Sequence, residues 1–168
     1  MGASRQDVID AINALWGDVE RLVEVTPEGA WTRGVYENGW NAKQVLGHLA
    51  AMSGVANFVM TMAQAPAGGM GGGGAFDIDQ FNAQQTAMRE GKTPADLLDE
   101  IRSNFTRDVS AIEKAPDDLL FKHYKAPWDV EGKAVEGTVA DVIVGSLKGH
   151  YRGHLTELAA ALARRTTA

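Results

Sequence analysis

The sequence predicts an all-α protein, a four-helix bundle, and three observations carry that prediction. Four long segments repeat apolar residues at helical spacing. Each segment begins at a residue that can cap a helix, followed three residues later by a side chain that can return the hydrogen bond. No run alternates apolar and polar residues as a half-buried strand does, although FKHYKAP, residues 121 to 127, is short enough to be ambiguous.

The four predicted helices begin at capping pairs, and the first three end directly before a proline. The pairs are Ser4 with Asp7, Asn41 with Gln44, Thr93 with Asp96, and Thr138 with Asp141. The helices are expected to run from these caps to about Thr26, Ala65, Ala115 and Leu162. Pro94 at the first helical position strengthens the third start, because its fixed φ suits a helix.

Two connections between these helices are long. Residues 65 to 77, APAGGMGGGGAFD, predict a flexible linker, or a lid formed by residues 67 to 75, because glycine strongly favours a mobile backbone. The segment does not fit a phosphate loop, because no Lys-Ser or Lys-Thr directly follows the glycines and no strand is predicted before them. From Pro116 to Gly137 we expect a loop, and loops of this length in compact domains are often binding loops.

Composition limits the class of protein. A chain of 168 residues, 45% of them hydrophobic, is expected to form a single domain over residues 1–168. The absence of cysteine excludes a disulfide framework and a cysteine nucleophile. A net charge of −6 with scattered basic residues argues against a nucleic-acid partner. Without an export signal or a continuous apolar span, a soluble, cytoplasmic protein with no membrane partner is expected.

Three histidines are predicted to face the interior of the bundle. His150 and His154 share a helical strip with apolar residues, and their spacing places them one turn apart. His48 falls on the apolar arc of the second helix. A single buried histidine is commonly a hydrogen-bonded core residue, but three together would leave several ring nitrogens needing partners. A shared metal ion satisfies them, and three protein ligands leave a coordination position open, as in catalytic sites.

Glycines accompany the histidines on the last helix. Gly145, Gly149 and Gly153 form a stripe beside them, and each costs about 0.8–1 kcal/mol of helix stability relative to alanine. We expect them to permit a close approach of backbones, within the bundle or across a dimer contact. The alternative is that the helix merely tolerates them. His123 lacks such a context and is expected at the surface.

Two motifs resemble the DinB/YfiT-like family of four-helix metalloenzymes. GWNAKQVLGHLA is similar to that family's tryptophan followed by a helix with the first histidine, and GHYRGHLTEL to the histidine pair on its last helix. FDIDQFNAQQTAMREGKTPADLLDEI is similar to the subgroup of ClbS/DfsB-type proteins and the N-terminal domains of mycothiol-dependent maleylpyruvate isomerases. The resemblance places His48, His150 and His154 on the family's metal triad. It implies a bundle with a long crossover connection, and often a homodimer.

The same resemblance implies an activity. Relatives include transferases and isomerases that use low-molecular-weight thiols such as mycothiol or bacillithiol, and a hydrolase. Isomerase-type members usually have an acidic residue at the position of His150, so this chain fits the three-histidine branch. We expect a hydrolase or thiol S-transferase in which a divalent metal ion, zinc or nickel, activates water or an exogenous thiol against a small reactive substrate. The alternatives are a non-catalytic protein that sequesters such a molecule in stress or toxin resistance, and a purely structural bundle.

Further site residues are expected around the triad. Glu157, one turn beyond His154, is the candidate that orients a histidine or acts as a base, unless it is simply solvated. Tyr151 either lines the pocket or packs in the core. The candidate substrate contacts are Asn82, Tyr124 and Trp128.

Overall fold

The structure is a computed structural model that describes residues 2–36, 39–65, 78–130 and 133–164. These residues are mostly helical and include a small two-stranded antiparallel sheet. In chain order the elements are α1 (Arg5–Val25), α2 (Ala42–Met52), α3 (Val55–Gln64), α4 (Ile78–Ala87), α5 (Pro94–Lys114), α6 (Asp117–Leu120), β1 (His123–Val130), β2 (Lys133–Thr138), α7 (Val139–Gly145) and α8 (Arg152–Ala163). The segment 67–75, predicted as a linker or lid, lies outside the described residues.

All four predicted helix starts are confirmed. At the beginning of α1, α2, α5 and α7, the cap side chain accepts a hydrogen bond from the backbone of the third helical residue. The side chain of that third residue accepts from the cap's backbone in return. Each N-cap stabilises its helix by about 1 kcal/mol. These four starts are therefore determined by local sequence.

The second predicted helix is wrong as a continuous element, because it divides into α2 and α3 with a bend of 41°. Asp108, fully buried on α5, accepts hydrogen bonds at the start of α3 from the backbone N–H groups of Ala56 (2.9 Å) and Asn57 (3.1 Å). Asn104, also on α5, donates to the carbonyl of Ala50 in α2 at 3.2 Å. Asp108 thus satisfies backbone N–H groups that have no partner within α3, and Asn104 adds to the hydrogen bonds that the Ala50 carbonyl already accepts from Ser53.

The expected loop from Pro116 to Gly137 contains structure that the sequence analysis missed. It includes the short helix α6 and a hairpin in which β1 pairs with β2, from His123 opposite Thr138 to Val130 opposite Lys133. An irregularity in the register interrupts the ladder within β1. Such an interruption obscures the alternation by which a strand is recognised in a sequence.

The core lies between α1, α2, α3, α5, α7 and α8. Helix α1 packs against α5 and α7, α3 against α5 and α7, and α2 against α4, α5 and α8. None of the described helices alone is long and apolar enough to cross a membrane. Helices α2 and α3 have the required length and apolar composition only when they are taken together, as a bent pair. For the site, the important neighbours are α2 and α8, because each carries one or more of the histidines.

The last predicted helix contains a π-helical segment, Ser146–Tyr151, between α7 and α8. A π-helical turn is wider than an α-helical turn, so the strip predicted at 100° per residue does not continue through it. Tyr151 takes a buried position at 1% exposure, whereas His150 is exposed. Segments of this kind occur frequently at functional sites.

The glycines at 145, 149 and 153 do not allow another described part of the chain to pack closely against their backbone. A Cβ added at Gly145, Gly149 or Gly153 would meet no described atom within 4 Å. The three positions are exposed, so this part of the prediction is wrong. By contrast, a Cβ at Gly47 would lie 3.5 Å from the Cβ of Arg89, where α2 passes close to the chain after α4.

Candidate metal centre

Three histidine side chains converge where α2 meets the end of the chain. His48 belongs to α2, His150 to the π-helical segment and His154 to α8. Each offers a ring nitrogen, and these nitrogens lie within 4.8 Å of one another. The ring centroids of His48 and His154 are 4.9 Å apart, and those of His150 and His154 are 4.5 Å apart. The group could hold a metal ion.

The three rings differ in exposure. His48 is 2% exposed, His154 is half-buried and His150 is exposed. The expectation that all three face the interior is therefore right for His48 and wrong for His150. The site is open on the side of His150, so a reactant can reach it from solvent.

The residues present fit a divalent metal ion. Two nitrogens bound to one zinc ion at ~2.1 Å lie at most ~4.2 Å apart, so small side-chain rotations would bring the three rings into coordination range. Imidazole is a ligand suited to zinc, nickel, copper and iron. Nδ1 of His48 is buried and makes no hydrogen bond to any described residue. An ion bound to this ring would offset part of the cost of burying it.

The electrostatic surroundings keep the rings neutral. Burial first, and then the neighbouring His154, His150 and Arg89, together lower the pKa of His48 to about 3. Desolvation and then His154 lower the pKa of His150. Burial also lowers the pKa of His154, although the Glu157 carboxylate opposes this effect. A neutral imidazole is the form that binds a metal ion.

A short loop before α2 brings two aromatic side chains to the triad. The backbone N–H of Val35 donates to the carbonyl of Trp40 at 2.8 Å, and that of Gly39 donates to the carbonyl of Tyr36 at 3.1 Å. Gly39 has φ +93°, a conformation that favours glycine. The Trp40 ring then lies 5.4 Å from the His48 ring, and the Tyr36 ring 5.9 Å from the His154 ring, between centroids.

Tyr36 connects His154 with Glu157. The Tyr36 hydroxyl lies 2.5 Å from Nδ1 of His154 and donates a hydrogen bond to Oε2 of Glu157. The same carboxylate oxygen is 3.5 Å from Nδ1 of His154. Glu157 was predicted from the sequence either to orient a histidine or to act as a base. Its contacts with Tyr36 and His154 fit the first of these roles better. Its side chain is exposed and is not among those that line the cavity.

A cavity of about 480 Å³ opens over the histidines. It is lined by Tyr36, Trp40, His48, Asn82, Ala83, His150 and His154. Asn82, one of the expected substrate contacts, reaches the cavity from α4. This volume accommodates a small organic molecule next to an ion.

The structure does not bring the other expected contacts to this cavity. Trp128 lies on β1 and packs against Phe58 of α3, with ring centroids 5.7 Å apart. Tyr124, also on β1, has a buried hydroxyl without a hydrogen bond to any described residue. Tyr151 packs in the core 5.6 Å from the ring of Phe105. His123 is exposed, as expected.

Sequence reasoning missed Tyr36 and did not give Trp40 a role at the site. Both precede the cap Asn41, outside the part of the chain where helical periodicity assigns a face. The available signal was two aromatic residues around a glycine immediately before a helix that carries a candidate ligand.

Fold and site together define a mostly helical protein with a three-histidine centre that could hold a metal ion. The chain belongs to the mycothiol maleylpyruvate isomerase N-terminal domain family, a DinB-like family whose model matches residues 12–143. The match includes His48 and ends before His150 and His154. Neither the curated proteins nor the solved structures compared with the chain gave a match.

Proposed function

We propose that this protein is a metal-dependent enzyme that activates water or a low-molecular-weight thiol against a small reactive substrate. It would be a hydrolase or a thiol S-transferase, with zinc or nickel bound by His48, His150 and His154. The observation that carries the proposal is the convergence of three neutral imidazoles at an open cavity of about 480 Å³. A structural zinc site is usually closed by four protein ligands, whereas three leave a position for a reactant.

We also propose an overall architecture, a cellular location and a set of partners for this protein. We take residues 1–168 as a single DinB-like domain in which α1, α2 with α3, α5, and α7 with α8 form the four members of a bundle. The connection through α4 would be the crossover. We further propose a cytoplasmic protein with a small-molecule substrate, able to form a homodimer, without a nucleic-acid or membrane partner.

The chain's own residues have separate roles in this proposal. The three histidines hold the ion, which when bound acts as a Lewis acid and lowers the pKa of a coordinated water or thiol. Trp40 and Tyr36 form an aromatic wall of the cavity against which an apolar part of the substrate can pack. The amide of Asn82 can donate to and accept from a polar group of the substrate.

Three features bear on the identity of the nucleophile. The chain has no cysteine, so any thiol must come from a separate molecule. The family is named for a mycothiol-dependent isomerase, which supports mycothiol as the first thiol to test. Three neutral ligands also leave the ion's full charge uncompensated, which favours an anionic partner such as a thiolate or hydroxide.

The test is a metal-dependent turnover measurement on protein purified without a histidine tag. Zinc- or nickel-loaded protein is incubated with mycothiol and a small electrophile such as monobromobimane, and turnover is the rate of thioether formation, by mass spectrometry, above that of the same mixture without protein. A parallel reaction without thiol detects hydrolysis of labile esters or epoxides. His150→Ala tests the triad, and His123→Ala removes an exposed histidine outside it as the matched control.

We expect turnover that chelation and His150→Ala abolish and that His123→Ala leaves unchanged. Stoichiometric binding of the electrophile without product would instead support sequestration. A protein that binds no metal, and whose melting temperature is unchanged by chelation or by His150→Ala, would be a structural bundle.

A further inference from the structure

We propose that Tyr36 is a positioning residue that fixes the tautomer of His154, with its hydroxyl bridging the imidazole to the carboxylate of Glu157. This inference rests on the proposed function, because its consequence is to direct one particular ring nitrogen towards the ion. Tyr36 precedes α2, whereas His154 and Glu157 lie on α8. The bridge therefore joins the two parts of the chain that supply the ligands.

The proton arrangement follows from the three groups involved. A phenol has one proton to donate, and a carboxylate only accepts. The Tyr36 hydroxyl donates to Oε2 of Glu157, so its oxygen can only accept from its second neighbour, Nδ1 of His154 at 2.5 Å. Nδ1 of His154 must then carry the ring proton. The opposite arrangement would place the Tyr36 oxygen and the Glu157 carboxylate in contact without a hydrogen between them.

The consequence for the site is that Nε2 of His154 keeps its lone pair. The hydrogen bond at one nitrogen of a histidine determines whether the other is free to bind a metal ion. Histidine ligands usually donate their second N–H to a carboxylate, a carbonyl or water, and this contact holds the ring in place. Here the Tyr36 hydroxyl would take that position, with Glu157 behind it.

The positions of the two partners fit this role. Glu157 is exposed and does not line the cavity, so it can polarise the Tyr36 hydroxyl without competing for the open coordination position. The Tyr36 ring meets the His154 ring nearly edge to face, at 82°, and rotation of the His154 ring would move Nδ1 away from the Tyr36 hydroxyl. The bridge therefore restricts the orientation of His154 as well as its tautomer.

The first measurement uses metal-free protein and does not depend on the proposed function. Long-range ¹H–¹⁵N NMR spectra of the histidine side chains distinguish a protonated ring nitrogen from one with a lone pair. We expect His154 to carry its proton on Nδ1 in the wild type and to become a mixture of tautomers in Tyr36→Phe. Wild-type His154 protonated on Nε2, or an unchanged tautomer in Tyr36→Phe, would overturn the inference.

The second measurement is zinc affinity, by competition with a chromophoric chelator. Tyr36→Phe keeps the ring and removes the hydroxyl, and we expect at least about 10-fold weaker binding. Glu157→Gln should retain most of the affinity, because the glutamine oxygen still accepts from Tyr36, whereas Glu157→Ala should not. Tyr124→Phe removes a buried hydroxyl on β1 and is the matched control.

The two measurements separate the possible failures. Wild-type protein that binds neither zinc nor nickel but shows the Nδ1 tautomer would end the proposed function and leave the role of Tyr36 intact. Normal zinc affinity in Tyr36→Phe, with a circular dichroism spectrum like that of the wild type, would show that the hydroxyl does not position His154.

Discussion

The imidazole of His48 on α2 meets that of His154 on α8 edge to face, at 88° and with 4.9 Å between ring centroids. The two residues are far apart in sequence and come together because α2 packs against α8. The Trp40 ring also lies next to His48, with its ring centroid 5.4 Å away. A tryptophan this close should report on anything bound by the histidines.

The first prediction uses Trp40 as a probe of the site. Binding of Co²⁺ is expected to quench tryptophan fluorescence, because the paramagnetic ion would lie close to the indole ring. Trp40→Phe should remove most of the quenching in a titration of metal-free protein. Trp16→Phe, which changes a tryptophan of α1 outside the cavity, should keep it. Equal quenching in both variants would place the ion elsewhere.

The second prediction concerns the break between α2 and α3. Asp108→Ala removes the acceptor of the backbone N–H groups of Ala56 and Asn57, both at the start of α3. Leaving buried donors without partners should lower the free energy of unfolding by about 2–3 kcal/mol, measured by urea denaturation. Asp99→Ala, on an exposed position of the same helix, should change it by less than about 0.5 kcal/mol. Similar values for the two variants would contradict the assigned role of Asp108.

The third prediction is a pH dependence at the start of α7. Hydrogen bonds from the backbone of Ala3 and from Thr138 hold the pKa of Asp141 below its ordinary value of 3.8. A depressed pKa in the folded state contributes stability that is present above the unfolded value and is lost as pH falls through the folded value. Asp141→Asn should therefore lower the free energy of unfolding by about 1 kcal/mol at neutral pH.

The stability difference between wild type and Asp141→Asn should shrink as the pH falls below 3.8. Urea denaturation at neutral and at acid pH measures it. A difference that stays constant across this range, or that grows in acid, would show that the Asp141 carboxylate is not the source of the stability.

The fourth prediction concerns the exposed glycines. Gly145 has helical dihedral angles, φ −60° and ψ −44°, and an added Cβ would meet no described atom within 4 Å. Gly145→Ala should raise the free energy of unfolding by about 0.5–1 kcal/mol, because alanine loses less backbone entropy in a helix. Thermal denaturation and analytical ultracentrifugation measure the effect. Loss of stability together with dissociation of a dimer would show that the glycines serve a contact between subunits.

The helix starts were predictable because their causes are local. A cap such as Thr138 and its partner Asp141 lie three residues apart, and the hydrogen bonds between them need no other part of the chain. The break between α2 and α3 was not predictable in this way. It depends on Asp108 and Asn104, which are distant in sequence and reach the break only through the packing of α5.

The residues of the candidate site also differ in whether local sequence predicts their positions. Periodicity placed His48 correctly in the interior, because α2 is regular up to that point. The exposure of His150 depends on a π-helical segment that helical periodicity in the sequence does not predict. Tyr36 and Trp40 reach the cavity from a loop, where side-chain direction depends on backbone hydrogen bonds and on the positive φ of Gly39.

The most direct test of the metal centre is a crystal structure of metal-loaded protein, prepared without a histidine tag and measured above and below the absorption edge of the added ion. We predict one anomalous peak bonded to His48, His150 and His154, with a further position facing the cavity. An ion bound elsewhere, or three rings that hold only protein hydrogen bonds at saturating metal, would contradict the account.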